Sequence, residues 1–141
     1  MKASTYLDTS IILRHILGEP GVYPKLNAFE KHFSSELMVI EARRAIDRLR
    51  ILKNWQSEEI ALRVQLLTEF EEAISMIPLQ ATILRRAAEP FPTVVGTLDA
   101  LHIASALLAQ VHVQSSLSFL THDKRQGLAA QASGLKAEGW E

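Results

Sequence analysis

Asp8 interrupts the run Tyr6-Leu7-Asp8-Thr9-Ser10 where a strand would otherwise continue into hydrophobic core. Asp99, in Thr97-Leu98-Asp99, and Asp123, in Thr121-His122-Asp123, stand at comparable junctions, and Glu41 lies beside the apolar stripe of a helix. Four carboxylates gathered in one crevice repel and raise one another's pKa values unless a cation is bound. Hard oxygen ligands with water completing an octahedron suit Mg²⁺ or Mn²⁺. Such an ion activates a water and neutralises charge developing on a phosphodiester. Each acid also has a plainer role. Capping and the helix dipole favour Asp at a helix start, which accounts separately for Asp8, Asp99 and Asp123. Glu41, in mid-helix, has no such explanation. Thr9, Ser10 and Thr121 read as caps or as hydroxyls that orient the acids. His102, one turn after Asp99, and His122, beside Asp123, read more readily as polar packing or solvated groups than as ligands or bases. His15, His32 and His112 have no evident partners.

The elements that must position these residues follow from pattern. Ala3 to Leu7 reads as a strand, and Asp8-Thr9-Ser10 as the cap of a helix that Gly18-Glu19-Pro20-Gly21 ends. A second short helix is expected over 23–32. Ser34-Ser35-Glu36 opens a strong amphipathic helix, with Met38, Ala42, Ala45, Leu49 and Leu52 on one face. Its outer face carries Arg43, Arg44, Arg48, Arg50 and Lys53 against Asp47, a solvated surface or a phosphate-contacting patch with equal weight. Asn54 to Ser57 breaks it, and a further helix runs to Glu72. A buried strand is expected over 73–79 and a helix over 80–89, followed by the loop Pro90-Phe91-Pro92 to Gly96. The alanine-rich helix from Thr97 implies tight packing on a sheet. Leu117 to Leu120 is a strand, the helix after Asp123 ends near Gly134, and Leu135 to Ala137 is an edge strand. Strands alternating with helices imply parallel βαβ units. In such a sheet, groups at strand carboxyl ends and helix amino ends share one crevice.

The 141 residues fit one domain, 1–141, and 48% hydrophobic residues suffice to fill a core. With no cysteine, disulfides and thiolate metal sites are excluded, so any metal is held by oxygen or imidazole. The first apolar run, Ile11 to Leu17, contains Arg14 and is too short for a membrane span or a signal peptide. A soluble, cytoplasmic protein is expected. A net charge of −1 argues against a protein that coats nucleic acid, though not against a locally basic face.

In order along the chain stand Tyr6-Leu7-Asp8-Thr9-Ser10, Glu19-Pro20-Gly21, Ser35 with Glu41, Leu98-Asp99-Ala100-Leu101-His102-Ile103-Ala104, and Leu120-Thr121-x-Asp123, with Ala129-Ala130 and Gly134 beyond. This series resembles the PIN-domain ribonucleases and, more narrowly, the VapC toxins of bacterial type II toxin–antitoxin pairs. The resemblance implies a three-layer α/β/α sandwich around a central parallel sheet. It also implies Mg²⁺- or Mn²⁺-dependent cleavage of RNA by the acidic quartet Asp8, Glu41, Asp99 and Asp123. Asp8 and Asp99 would be the most direct metal ligands, with Glu41 and Asp123 binding a second ion or positioning water. Thr121 would be the hydroxyl near the site. A homodimer silenced by a cognate VapB-type antitoxin is the expected assembly. Because the chain is not basic, RNA would be gripped by local patches such as Arg43, Arg44, Lys124 and Arg125. The segment 55–89 matches only loosely.

Two other classes remain. A haloacid dehalogenase-like phosphatase also carries an Asp after its first strand, as covalent nucleophile. Its second Asp, two residues on, is Ser10 here. A PIN-fold module that binds RNA or protein without cutting would need the four acids to fail to converge.

Overall fold

The computed structural model of the protein describes residues 3–22, 26–113 and 116–140. The element order is β1 (Ser4–Leu7), α1 (Thr9–Leu17), a 3-10 turn (Leu26–Ala28), β2 (Lys31–Ser35), α2 (Glu36–Leu52), α3 (Ser57–Ala73) and β3 (Ser75–Ile77). There follow α4 (Ala81–Ala88), α5 (Thr97–His112), β4 (Leu117–Leu120), α6 (Lys124–Ala132) and β5 (Lys136–Glu138). The strands form one sheet in the order β3-β2-β1-β4-β5, with every pairing parallel. The expected three-layer α/β/α arrangement is present.

Alternation along the central strands divides the core between the two sheet faces. Tyr6 and Phe119 face one layer with Ile83 of α4, Ile103 and Ala106 of α5, and Ala129 and Ala130 of α6. Leu7 and Leu120 face the other, with Ile11, Ile12 and Ile16 of α1, Met38 and Ala42 of α2, and Leu67 of α3. The tight packing expected of the alanine-rich helix is realised, since Ala100, Ala104, Ala106 and Ala109 of α5 are buried.

Helix ends follow local chemistry. Gly18 closes α1 at φ 66, its N–H turned back to the carbonyls of Arg14 and His15. Ser35 caps α2, its Oγ accepting from the Leu37 N–H at 3.1 Å.

The helix expected over 23–32 is not formed. Residues 23–25 lie outside the described residues, Leu26–Ala28 makes a single 3-10 turn, and from Lys31 the chain is the strand β2. Its sequence, Lys-His-Phe-Ser-Ser, has no apolar alternation, so its state is set by partners on both sides. It pairs with β1 and β3, His32 Nδ1 meets Thr5 Oγ1 at 2.6 Å, and Ser34 Oγ donates to the Leu7 carbonyl at 2.7 Å. The strand expected over 73–79 shrinks to Ser75–Ile77, because α3 extends to Ala73.

Candidate active site

The β1–β4 ladder runs one residue past β1, where the Asp8 N–H donates to the Leu120 carbonyl at 2.9 Å. Asp8 thereby stands at the carboxyl edge of the sheet, extended at φ −68 and ψ 153, and caps α1. Its Oδ2 accepts from Ser10 Oγ at 2.6 Å, from the Ser10 N–H at 3.2 Å and from Thr121 Oγ1 at 3.0 Å. Oδ1 lies 3.7 Å from His102 Nε2. Three donors on one oxygen fix the carboxylate plane and leave Oδ1 for a further partner.

Thr121 has one hydroxyl proton and two acceptors within reach, Asp8 Oδ2 and, at 2.9 Å, Gln126 Oε1. The buried Gln126 Nε2 has no partner. Turning that amide by 180° makes Gln126 the donor to Thr121 and frees the hydroxyl proton for Asp8. Thr121 Oγ1 also accepts from the Asp123 N–H at 3.0 Å.

Glu41 sits on the flank of α2 beside the buried Met38, Ala42 and Ala45. Its Oε1 accepts from Thr9 Oγ1 at 2.6 Å and from His102 Nε2 at 2.6 Å. His102 is fully buried, and its Nδ1 lies 2.7 Å from the Tyr6 hydroxyl. Burial by itself would lower the imidazole pKa. The hydrogen bond to Glu41 and the charges of Asp8, Glu41 and Asp99 outweigh it and hold His102 above its ordinary value. Burial, then the Asp8 charge, pushes the Tyr6 phenol well above its own.

Asp99 lies in the first turn of α5, whose N-cap is Gly96, so this acid is not a cap. Its pKa is pushed up to about 6, first by burial and then by the charges of Asp8, Asp123 and Glu41, with His102 opposing. The other three acids are therefore all within electrostatic reach of Asp99. Asp123 is exposed at the rim and caps α6, its Oδ1 accepting from the N–H groups of Arg125 at 2.9 Å and Gln126 at 3.3 Å.

A groove of about 630 Å³ opens over this edge, lined by Asp8, Thr9, Ser10, Leu13, Glu41, Arg44, Arg48, Ile51 and Asp99, among others. A slightly larger cavity, about 680 Å³, lies at the strands' amino ends with a single carboxylate, Glu30, in its lining. The chemistry belongs to the groove, whose lining holds four carboxylates, Asp8, Glu41, Asp47 and Asp99.

Among the described residues, no three His, Asp or Glu side chains stand close enough to enclose a metal ion. The donor set nevertheless fits Mg²⁺ or Mn²⁺, because Mg²⁺ keeps several waters and takes only one or two carboxylates from a protein. Asp8 offers an oxygen outside its hydrogen bonds, and Asp99 is a carboxylate whose ionisation burial and the neighbouring acids disfavour and a bound cation would favour.

Of the basic residues singled out, Arg44 is on the groove wall. Arg43 turns to α3, where it grips Glu71 through two hydrogen bonds, 2.6 and 3.2 Å. Lys124 and Arg125 line a separate hollow with Thr93, Val94 and Leu128, beside Asp123. Arg48, expected only as one member of the basic face of α2, lines the groove with Arg44, four residues before it on the same helix face. Sequence reasoning underweighted His102, whose contact with Glu41 crosses 61 residues of chain.

Comparison with known proteins gives one family match, the PIN domain, over residues 5–131. No curated protein matches the chain in sequence. Among solved structures the chain is similar to VapBC2 from Rickettsia felis bound to a DNA fragment from its promoter, at TM-score 0.69 and 15% identity, covering 98% of this chain and 99% of that one. It is similar to FitAcB from Neisseria gonorrhoeae at TM-score 0.66 and 18% identity, over 97% and 99%. It is also similar to VapBC-5 of Mycobacterium tuberculosis, a member of the VapBC toxin–antitoxin family, at TM-score 0.58 and 16% identity, over 96% and 95%. At these identities the structural likenesses speak for the fold.

Proposed function

The chain belongs to the PIN domain family, and from that premise we propose that it is a metal-dependent endoribonuclease, the toxin of a VapBC-type pair. The observation that carries this reading is the convergence of Asp8, Glu41 and Asp99, from three different elements, on one groove at the carboxyl edge of the sheet. In this reading Asp8 and Asp99 hold Mg²⁺ or Mn²⁺. The bound ion supplies an activated water and neutralises charge on the phosphate. Ser10 and Thr121 fix Asp8 by donating to Oδ2. Glu41 and Asp123 present further acceptors for water around the ion. Arg44 and Arg48 on one side, and Lys124 and Arg125 beside Asp123, receive neighbouring phosphates of the strand.

The likeness to structures described as toxin–antitoxin complexes supports a cognate VapB-type antitoxin as partner. Large exposed apolar side chains on α2, Ile51 and Leu52 at 64% and 71%, give such a partner a surface near the groove. A homodimer is part of the same proposal. Among the described residues no helix is long and apolar enough to cross a membrane.

The test is cleavage of a mixed structured-RNA pool by the purified protein with Mg²⁺, with Mn²⁺ and with EDTA, using Asp99→Asn as the contamination control. Discrete fragments that need metal and vanish in the variant support the reading. Fragments that persist in EDTA or in the variant contradict it, and failure to bind metal or cut RNA leaves a binding module in its place.

A further inference from the structure

His102 is fully buried behind the site, and nothing in the mechanism above employs it. Both of its ring nitrogens are engaged. Nδ1 meets the Tyr6 hydroxyl at 2.7 Å, and Nε2 meets Glu41 Oε1 at 2.6 Å with Thr9 Oγ1 at 3.2 Å. Tyr6 is itself anchored in the sheet core. Its ring stacks on Phe119 with centroids 5.4 Å apart and planes 4° from parallel, and meets the His102 ring edge-on at 5.8 Å. A continuous set of contacts therefore leads from the interior of β1 and β4, through the imidazole, to one oxygen of Glu41.

Glu41 needs such support. A glutamate has three rotatable bonds, and fixing them costs conformational entropy. Thr9 alone supplies a single hydroxyl proton. A second donor, from a ring held by Tyr6, converges on the same oxygen and fixes its position. The proton between His102 and Glu41 belongs to Nε2, because an ionised carboxylate only accepts. With Oε1 saturated by two donors, Oε2 is the oxygen offered to the groove.

We propose that His102 is a positioning residue of the metal site: braced by Tyr6, it holds Glu41 Oε1 so that Oε2 stays free to accept from water around the ion. This rests on the metal-site reading given above. Hydrogen-bond partners behind metal-site ligands typically set affinity by 10- to 100-fold, and His102 acts on the ion only through Glu41.

Mn²⁺ binding to the purified full chain, measured by calorimetry, tests this without recourse to activity. His102→Leu, which keeps bulk and removes the donor, is expected to weaken Mn²⁺ binding about 10- to 100-fold. His102→Gln, whose amide can still donate to Glu41, is expected to recover most of that loss. In a Glu41→Gln background, His102→Leu is expected to add less than about threefold, the non-additivity of residues acting as a unit. Where His102→Leu fails to fold, Tyr6→Phe takes its place, since it removes only the bracing hydroxyl; a several-fold weakening is expected. Unchanged affinity in a folded His102→Leu or Tyr6→Phe protein overturns the inference. So do losses that simply multiply with that of Glu41→Gln, or a Glu41→Gln protein that binds as the wild type does. Wild-type protein that binds no Mn²⁺ sinks the metal-site reading itself, an outcome distinct from wild-type binding that His102 does not influence.

Discussion

Asp99 differs from the other acids of the site because its surroundings supply burial and negative charge where theirs supply donors. Its pKa of about 6 in the folded chain, against 3.8 for an unhindered carboxyl, means that the folded state holds the proton more tightly than the unfolded one. Stability therefore falls as pH rises from about 4 through about 6, the reverse of an acid held by donors. A shift of this size in a fully buried group would be worth about 3 kcal/mol, and partial exposure reduces it to roughly 1 kcal/mol. Asp99→Asn is expected to raise the melting temperature of the metal-free protein by about 3 °C at pH 7.5 and by much less at pH 4.5. Equal shifts at both pH values would show that Asp99 is not strained by its neighbours. Asp8 and Asp123 were readable at this scale as acids at strand–helix junctions, and both also turn out to be caps. His102 was not readable, because a lone histidine on an apolar helix face gives no sign that a glutamate 61 positions away will meet it.

The turn 121–123, which carries Thr121 and Asp123, is braced by the chain's last described residues. The Thr121 N–H donates to the Glu138 carbonyl at 3.1 Å, and the His122 ring nitrogen Nδ1 donates to the Gly139 carbonyl at 2.8 Å. Gly139 has φ 119, and a Cβ there would stand 2.5 Å from the Thr121 carbonyl oxygen. Gly139→Ala must therefore move backbone, and is expected to cost at least about 2 kcal/mol and to disturb the Thr121 contact with Asp8. Urea unfolding checks the first part; a variant as stable as the wild type would mean that this brace bears no strain. Gly127 makes a similar close approach, its missing Cβ lying 2.4 Å from the Trp140 ring. Elements with strong periodicity or caps, α2 and α5 above all, were legible in the sequence. The strand β2 was not, because Lys31, His32, Ser34 and Ser35 become a strand only through neighbours brought in from β1 and β3.

Over the whole molecule, the parallel sheet brings acids distant in sequence to one edge and leaves the chain as a whole nearly neutral, with 15 basic against 16 acidic residues. On the proposed reading, RNA would be held by few cations, Arg44 and Arg48 on one side and Lys124 and Arg125 on the other. At about −0.7 per contacted phosphate on a single strand, four such contacts give a log–log salt slope of roughly −3. Arg48→Ala is expected to make it shallower by nearly one unit, whereas Arg43→Ala, already paired with Glu71, should leave it unchanged. Equal effects from the two variants would contradict the path proposed for the strand. The central claim is that Asp8, through the oxygen its own donors leave open, holds the ion that cleaves RNA. Asp8→Asn keeps an oxygen for Ser10 and Thr121 and replaces the other by an amide nitrogen, so the fold should survive. The deciding measurement is the rate of Mg²⁺-dependent RNA cleavage by this variant beside the wild type, with folding checked by circular dichroism. A loss of about a thousandfold or more, the scale of several kcal/mol of ion-dependent stabilisation, is the predicted result. A folded variant that cuts within a few-fold of the wild-type rate would contradict the account.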